Sequence, residues 1–106
     1  MLAEAQLDVR EGLARVGKAL ADPTRCSILV CLLEGEHYPA DLADHLELTR
    51  ANVSNHLACL RGCGLVIATQ EGRRARYRLA DARLAHALQD LSTLAFALPA
   101  DACEVD

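Results

Sequence analysis

Cys59 and Cys63 stand four positions apart, the spacing that makes two side chains neighbours on one helix face. At about 100° per residue, Asn52, His56, Cys59 and Cys63 fall on one stripe, beside an apolar face made by Val53, Leu57 and Leu60. Two thiolates so placed can share one ion, with bonds of roughly 2.3 Å for zinc and longer ones for larger soft metals. The ion has to displace thiol protons, so binding should strengthen as pH rises. Three further cysteines, Cys26, Cys31 and Cys103, bring the total to five. The total is odd, and the first dozen residues carry Glu4, Asp8 and Glu11, which is unlike an export signal. Both facts argue for reduced thiols rather than a disulfide framework. Cys26 and Cys31 lie among Ile28, Leu29 and Leu32 and are expected to fill core. His37, His45 and His86 have no second ligand at helical spacing and read as surface histidines.

A second chemistry is electrostatic. Residues 49 to 78 hold Arg50, Arg61, Arg73, Arg74, Arg76 and Arg78 against Glu71 alone. That stretch is therefore +5 in a chain of net charge −4, leaving −9 for the rest. A compact basic stretch in an acidic chain is the footprint of a phosphate-binding face. The longest aliphatic run, Ile28 to Leu33, is six residues, far below the ~20 of a membrane helix. The expectation is a cytoplasmic protein with no membrane and no organic substrate. Nor is it read as an enzyme, because no histidine or acid is placed to activate a cysteine nucleophile.

These groups need a scaffold to position them. The 106 residues suffice for one domain, and 52% hydrophobic against 25% charged is a folding composition. Leu7, Leu13, Val16 and Leu20 recur at helical spacing. Asp22-Pro23 caps and opens a second helix, apolar through Ile28, Leu29, Leu32 and Leu33 and stopped at Gly35. A short third helix starts at Pro39 and uses Leu42, Ala43 and Leu46. Thr49 caps a fourth, with Leu48 and Val53 as a hydrophobic staple, and Gly64 ends it. Leu65 to Thr69 is β-prone, Glu71-Gly72 is read as a turn, and alternation from Arg74 to Leu79 completes a hairpin. A last helix runs from Asp81 through Leu84, Leu88, Leu91, Leu94 and Leu98 to Pro99.

This order predicts a mainly α fold with a small β-hairpin wing, that is, a winged helix-turn-helix. Residues 1–98 would form the DNA-binding and dimerisation domain, and 99–106 a mobile acidic tail carrying Cys103. On the fourth helix Ala51, Ser54, Asn55 and Ala58 face outward, with Thr49 and Arg50 at its amino end. Small and short polar residues let a helix approach base edges, and amides and guanidinium groups can contact them in pairs. The candidate DNA-binding residues are Thr49, Arg50, Ser54, Asn55 and His56, joined by Arg73, Arg74 and Arg76 from the wing.

Leu20-Ala21-Asp22-Pro23-Thr24-Arg25, the TRANVSNHLACL stretch from Thr49 to Leu60, and the wing EGRRARYRL resemble the ArsR/SmtB family. The likeness spans nearly the whole chain. It implies a small dimeric winged-helix repressor that leaves DNA on binding metal or metalloid ions, with the two terminal helices as the dimer interface. Both are leucine-lined and neither is needed by the helix-turn-helix, which agrees. The family carries a histidine at the His56 position even where the cysteines are missing, which favours the DNA surface over a ligand role. Cys59, Cys63 and a tail cysteine resemble the CmtR-like, cadmium- and lead-sensing branch. Members that sense at the helix before the reading head place several cysteines there, whereas this chain has Glu36-His37-Tyr38-Pro39-Ala40-Asp41. The zinc and cobalt pattern on the last helix is not matched by Asp81, His86 and Asp90.

Two sulfurs alone are not selective, and Cys103 is the candidate third ligand, from the same chain or across a dimer. Three sulfurs suit Cd(II) or Pb(II) over hard ions, with Zn(II) as a further candidate. The expected protein is a homodimer on double-stranded operator DNA, released when Cys59, Cys63 and Cys103 take up the inducer ion. One alternative is a thiol-redox regulator using the same cysteines, against which stands the strain of a disulfide within a regular helix. Another is a winged-helix protein-interaction module, against which stands the basic stretch.

Overall fold

The computed structural model describes residues 2–98, with side chains from residue 8 onward. Cys103 and the tail from 99 to 106 lie outside the described residues. Five helices and one hairpin follow in the order α1 (Leu2–Leu20), α2 (Pro23–Glu34), α3 (Pro39–Leu46), α4 (Arg50–Gly62), β1 (Val66–Glu71), β2 (Arg74–Leu79) and α5 (Ala82–Ala97).

The junctions follow from local chemistry. Asp22 Oδ1 accepts from the amides of Thr24 (2.8 Å) and Arg25 (3.1 Å), and Pro23 opens α2 where no amide partner is needed. Arg25 then reaches back, donating from Nε to Ala19 O at 2.9 Å and from Nη2 to Lys18 O at 3.0 Å. The Asp-Pro-Thr-Arg run thus caps the end of α1 and the start of α2 together. Glu47 takes the left-handed conformation (φ 56°) that ends α3, and Leu48 donates to Ala43 O at 2.9 Å. Thr49 Oγ1 accepts from Asn52 N at 3.0 Å and starts α4. At the far end Gly64, at φ 80°, lets its amide reach Arg61 O and that of Leu65 reach Leu60 O, both 3.0 Å. This paired closure suits glycine at the left-handed position.

The core gathers Ile28, Leu29 and Leu32 of α2, Leu42 of α3, Val53, Leu57 and Leu60 of α4, and Leu65 and Val66 beside them. Ile28, Val53 and Leu60 are wholly buried. Among the described side chains the terminal helices contribute little to it: Ala19 from α1 and Leu88 from α5 are their buried members. Val9, Leu13, Leu91, Leu94, Phe96 and Leu98 stand exposed, with Phe96 at 96%.

Strands β1 and β2 pair antiparallel from Val66↔Leu79 to Glu71↔Arg74. The expected Glu71-Gly72 turn is therefore displaced by one residue. Glu71 belongs to β1, and Gly72-Arg73 forms the turn with positive φ at Gly72 only, the pattern of a tight hairpin turn opened by glycine. The hairpin also has an unforeseen neighbour. His37 and Tyr77 exchange backbone hydrogen bonds of 3.0 and 2.8 Å, while His37 Nε2 lies 3.1 Å from Cys31 O. His37 is consequently a half-buried tie between α2 and the wing rather than a free surface histidine.

Cys31 meets the expectation of core filler: it is buried, and burial pushes its thiol pKa up. Cys26 does not. It is half-buried, its Sγ 3.1 Å from Leu20 O, and it lines an open apolar cavity of about 190 Å³ with Leu20, Leu29, Val30, Leu88 and Leu91. The cavity lies on the side of α2 turned toward α5, so Cys26 faces outward while Cys31 faces the core.

Candidate nucleic-acid interface and thiol site

Helix α4 presents Arg50, Ala51, Asn52, Ser54, Asn55 and Ala58 on its exposed side, opposite buried Val53, Leu57 and Leu60. Thr49 at its cap is exposed too, although its hydroxyl already holds the Asn52 amide. The face is free of carboxylates, so an approaching phosphate meets no repulsion from α4 itself. His56 is half-buried and turned toward the α2 junction. The Asp22 carboxyl is held below its ordinary value first by the Arg25 amide and then by the Thr24 amide, with charge attraction from His56 and Arg25 adding to them. That proximity gives a histidine here a reason independent of any cysteine.

The wing arginines are not equivalent. Arg73 is exposed at the turn, and Arg78 is exposed on β2. The Arg74 guanidinium lies over the Tyr38 ring, 3.5 Å from its centroid. The Tyr38 hydroxyl donates to Glu71 Oε1 at 2.5 Å, and that bond is the largest cause of a raised Tyr38 pKa. Arg76 is engaged twice, by Glu71 Oε2 at 3.0 Å from Nη2 and by Glu36 Oε1 at 2.9 Å from Nε. The second is a close approach of charges off the N–H axis rather than a straight hydrogen bond. Glu36 lies outside the basic stretch in the chain, but the His37–Tyr77 bridge carries it onto the wing. The face is accordingly less positive than the local residue count implies. Glu36 and Tyr38 are functional candidates that sequence reasoning passed over. The signal was Pro39, since the residue before a proline is driven to extended backbone.

Between the wing and α4 lies a cleft of about 240 Å³, bounded by Tyr38, Pro39 and Ala40, by Arg50 and Ser54, and by Arg73, Arg74 and Ala75. Arginines from two separate elements converge there.

The thiols sit at the other end of α4. Cys59 is exposed, while Cys63 is half-buried against the core as the C-cap residue. The Cys63 amide donates to Cys59 O at 3.0 Å, so the pair brackets the last turn. Two soft donors on one accessible turn fit a thiophilic ion in kind. Among the described residues no group of three or more His, Cys, Asp or Glu side chains is poised to hold a metal. The described residues of a single protomer thus supply no third ligand beside Cys59 and Cys63.

A short α3, a tight turn, a capped helix with a small polar face and an arginine-bearing hairpin define a winged helix-turn-helix DNA-binding protein. The chain belongs to the arsR family of bacterial regulatory proteins, whose model matches residues 22–68. It is 63% identical over 95 residues to the HTH-type transcriptional regulator CmtR of Mycobacterium tuberculosis (strain H37Rv), covering 89% of this chain and 80% of that one. Its fold resembles the NMR structure of the cadmium metal-sensor CMTR from Mycobacterium tuberculosis (TM-score 0.65, 70% identity, 74% of this chain and 81% of that chain). It also resembles the homodimeric winged helix-turn-helix DNA-binding domain of Mb0332 from Mycobacterium bovis (TM-score 0.81, 33% identity, 85% and 83% coverage). This is a family of transcriptional regulators rather than enzymes.

Proposed function

We propose that this chain is a metal-responsive repressor that binds operator DNA as a homodimer and lets go when a soft ion occupies its thiols. The observation that carries the reading is the place of Cys59 and Cys63, one exposed and one half-buried, on the last turn of the helix that faces DNA. The similarity to a cadmium sensor supports it. Cys103 is the third ligand in this reading, and Cd(II) or Pb(II) the inducer, with Zn(II) as a further candidate.

The DNA surface comprises Thr49, Arg50, Ser54 and Asn55 on the reading helix and Arg73 and Arg74 on the wing, with His56 and Arg76 supporting from behind. The dimer forms through the exposed apolar residues of α1 and α5, which would extend the small core across two chains. No described helix is long and apolar enough to cross a membrane, in keeping with a protein that works on DNA in the cytoplasm.

Ion uptake fastens the carboxyl end of α4 to the tail and changes how the reading helix meets DNA. By linkage, whatever metal takes from DNA affinity, DNA takes from metal affinity, an effect of ~1–3 kcal/mol in typical cases. The test is a Cd(II) titration of the dimer on DNA from upstream of its own gene, with Cys59→Ser, Cys63→Ser and Cys103→Ser variants. Release by metal that all three variants abolish is the expected result. Release that survives each of them unchanged would remove the trithiolate site.

A further inference from the structure

We infer that Tyr38 is a positioning residue for DNA binding: its ring holds the Arg74 guanidinium at the mouth of the wing–α4 cleft, where Arg50, Arg73 and Arg74 together seat one stretch of phosphodiester backbone. This rests on the DNA-binding reading above and adds a residue to it that lies on neither α4 nor the hairpin.

Three observations converge. The guanidinium lies over the ring at 3.5 Å. A stacked guanidinium keeps its edge N–H groups free, so it can be held by its face and still donate to phosphate. The ring is itself fixed. Its hydroxyl donates to Glu71, and its backbone stands between the His37–Tyr77 bridge and Pro39, the first residue of α3. Donation to a carboxylate also enriches the ring's electrons, which strengthens its hold on a cation. Finally, Tyr38, Arg50, Ser54, Arg73 and Arg74 border one cleft of about 240 Å³, so the held arginine points at the same space as the first turn of α4. A free arginine on a hairpin would lose side-chain freedom on meeting DNA. One already stacked loses less.

The occupant this chemistry selects is the sugar–phosphate backbone of duplex DNA, because the lining brings three guanidinium groups and the Ser54 hydroxyl, and no carboxylate, to face acidic oxygens. The contact is independent of base sequence.

The experiment measures binding of the dimer to a labelled DNA duplex of mixed sequence across a salt series. Each phosphate contact contributes about 0.9 to the slope of log K against log salt. Arg74→Ala should make the slope shallower by about 0.9 per protomer. Tyr38→Leu should reproduce that loss, Tyr38→Phe should restore most of it, and Tyr38→Leu should add nothing in the Arg74→Ala background. A Tyr38→Leu slope equal to that of the unaltered protein, or additive losses in the double variant, overturns the inference. If Tyr38→Leu does not fold, Arg74→Lys replaces it, keeping the charge while losing the planar stack. Several-fold weaker binding is then expected, and unchanged affinity overturns the inference. A flat salt dependence of the unaltered dimer would instead sink the DNA-binding reading beneath it.

Discussion

Cys63 donates its backbone amide to the carbonyl of Cys59 across 3.0 Å, closing the last turn of α4 between two thiols. An ion shared by both sulfurs would therefore clamp a turn that is already formed, and little helix has to be rebuilt to hold it. Cd(II) should bind with sulfur-to-metal charge-transfer absorption that Cys59→Ser and Cys63→Ser each diminish. Because thiol protons must leave, the apparent affinity should climb with pH. A pH-independent titration would argue for ligands other than thiolates.

The exposed apolar residues of α5 predict a second outcome. Leu94 is 50% exposed and Leu91 49%, on a helix whose buried member is Leu88. Leu94→Glu should shift the protein from dimer to monomer in sedimentation velocity and weaken DNA binding with it. A monomer unaffected by concentration in the unaltered chain would refute the assigned interface.

Asp81 caps α5, and its carboxylate is gripped by Arg83, whose side-chain bonds are the main reason its pKa falls to about 2. A carboxyl depressed on folding stabilises the native state above its ordinary value of 3.8, and that support disappears as pH falls through about 2. Asp81→Asn should melt below the unaltered protein at neutral pH, and the gap should narrow as acid approaches pH 2. Thermal melts followed by circular dichroism across that range decide it. A gap that widens in acid would contradict the sign.

Leu57→Ala should cost about 2–5 kcal/mol in urea unfolding, since the side chain is 1% exposed at the centre of the core. Gly64→Ala should cost about 1 kcal/mol or more for a different reason, the φ of 80° that an alanine adopts poorly. Urea midpoints check both. A neutral Gly64→Ala would mean the turn after α4 can relax without loss.

Much of this architecture was legible in the chain because it is locally encoded. Asp22, Thr49 and Asp81 each cap the helix that follows within three residues, and Gly64 stops α4 by a conformation few other residues accept. The candidate site was half legible. Four-residue spacing places Cys59 and Cys63 together, but their unequal burial depends on the core, which packs against Cys63 and leaves Cys59 exposed. The contacts that organise the wing were hidden for a plainer reason. Tyr38 and Glu71 are 33 positions apart, and Glu36 meets Arg76 from outside the basic stretch. No local pattern records a pairing at that distance. Cys26 was misread similarly: its apolar neighbours in the chain suggested an interior place, yet it borders an open cavity.

Only Cys63, Gly64 and Leu65 separate the end of α4 from the start of β1, and both amides after the cap are tied back to the helix. Those bonds stiffen the join, so rod and hairpin would be expected to shift as one lever. On the reading proposed above, a pull on the sulfur end would swing both gripping parts off the double helix together, with partial disengagement mechanically disfavoured. Such a linkage suits an on-or-off decision better than a graded one.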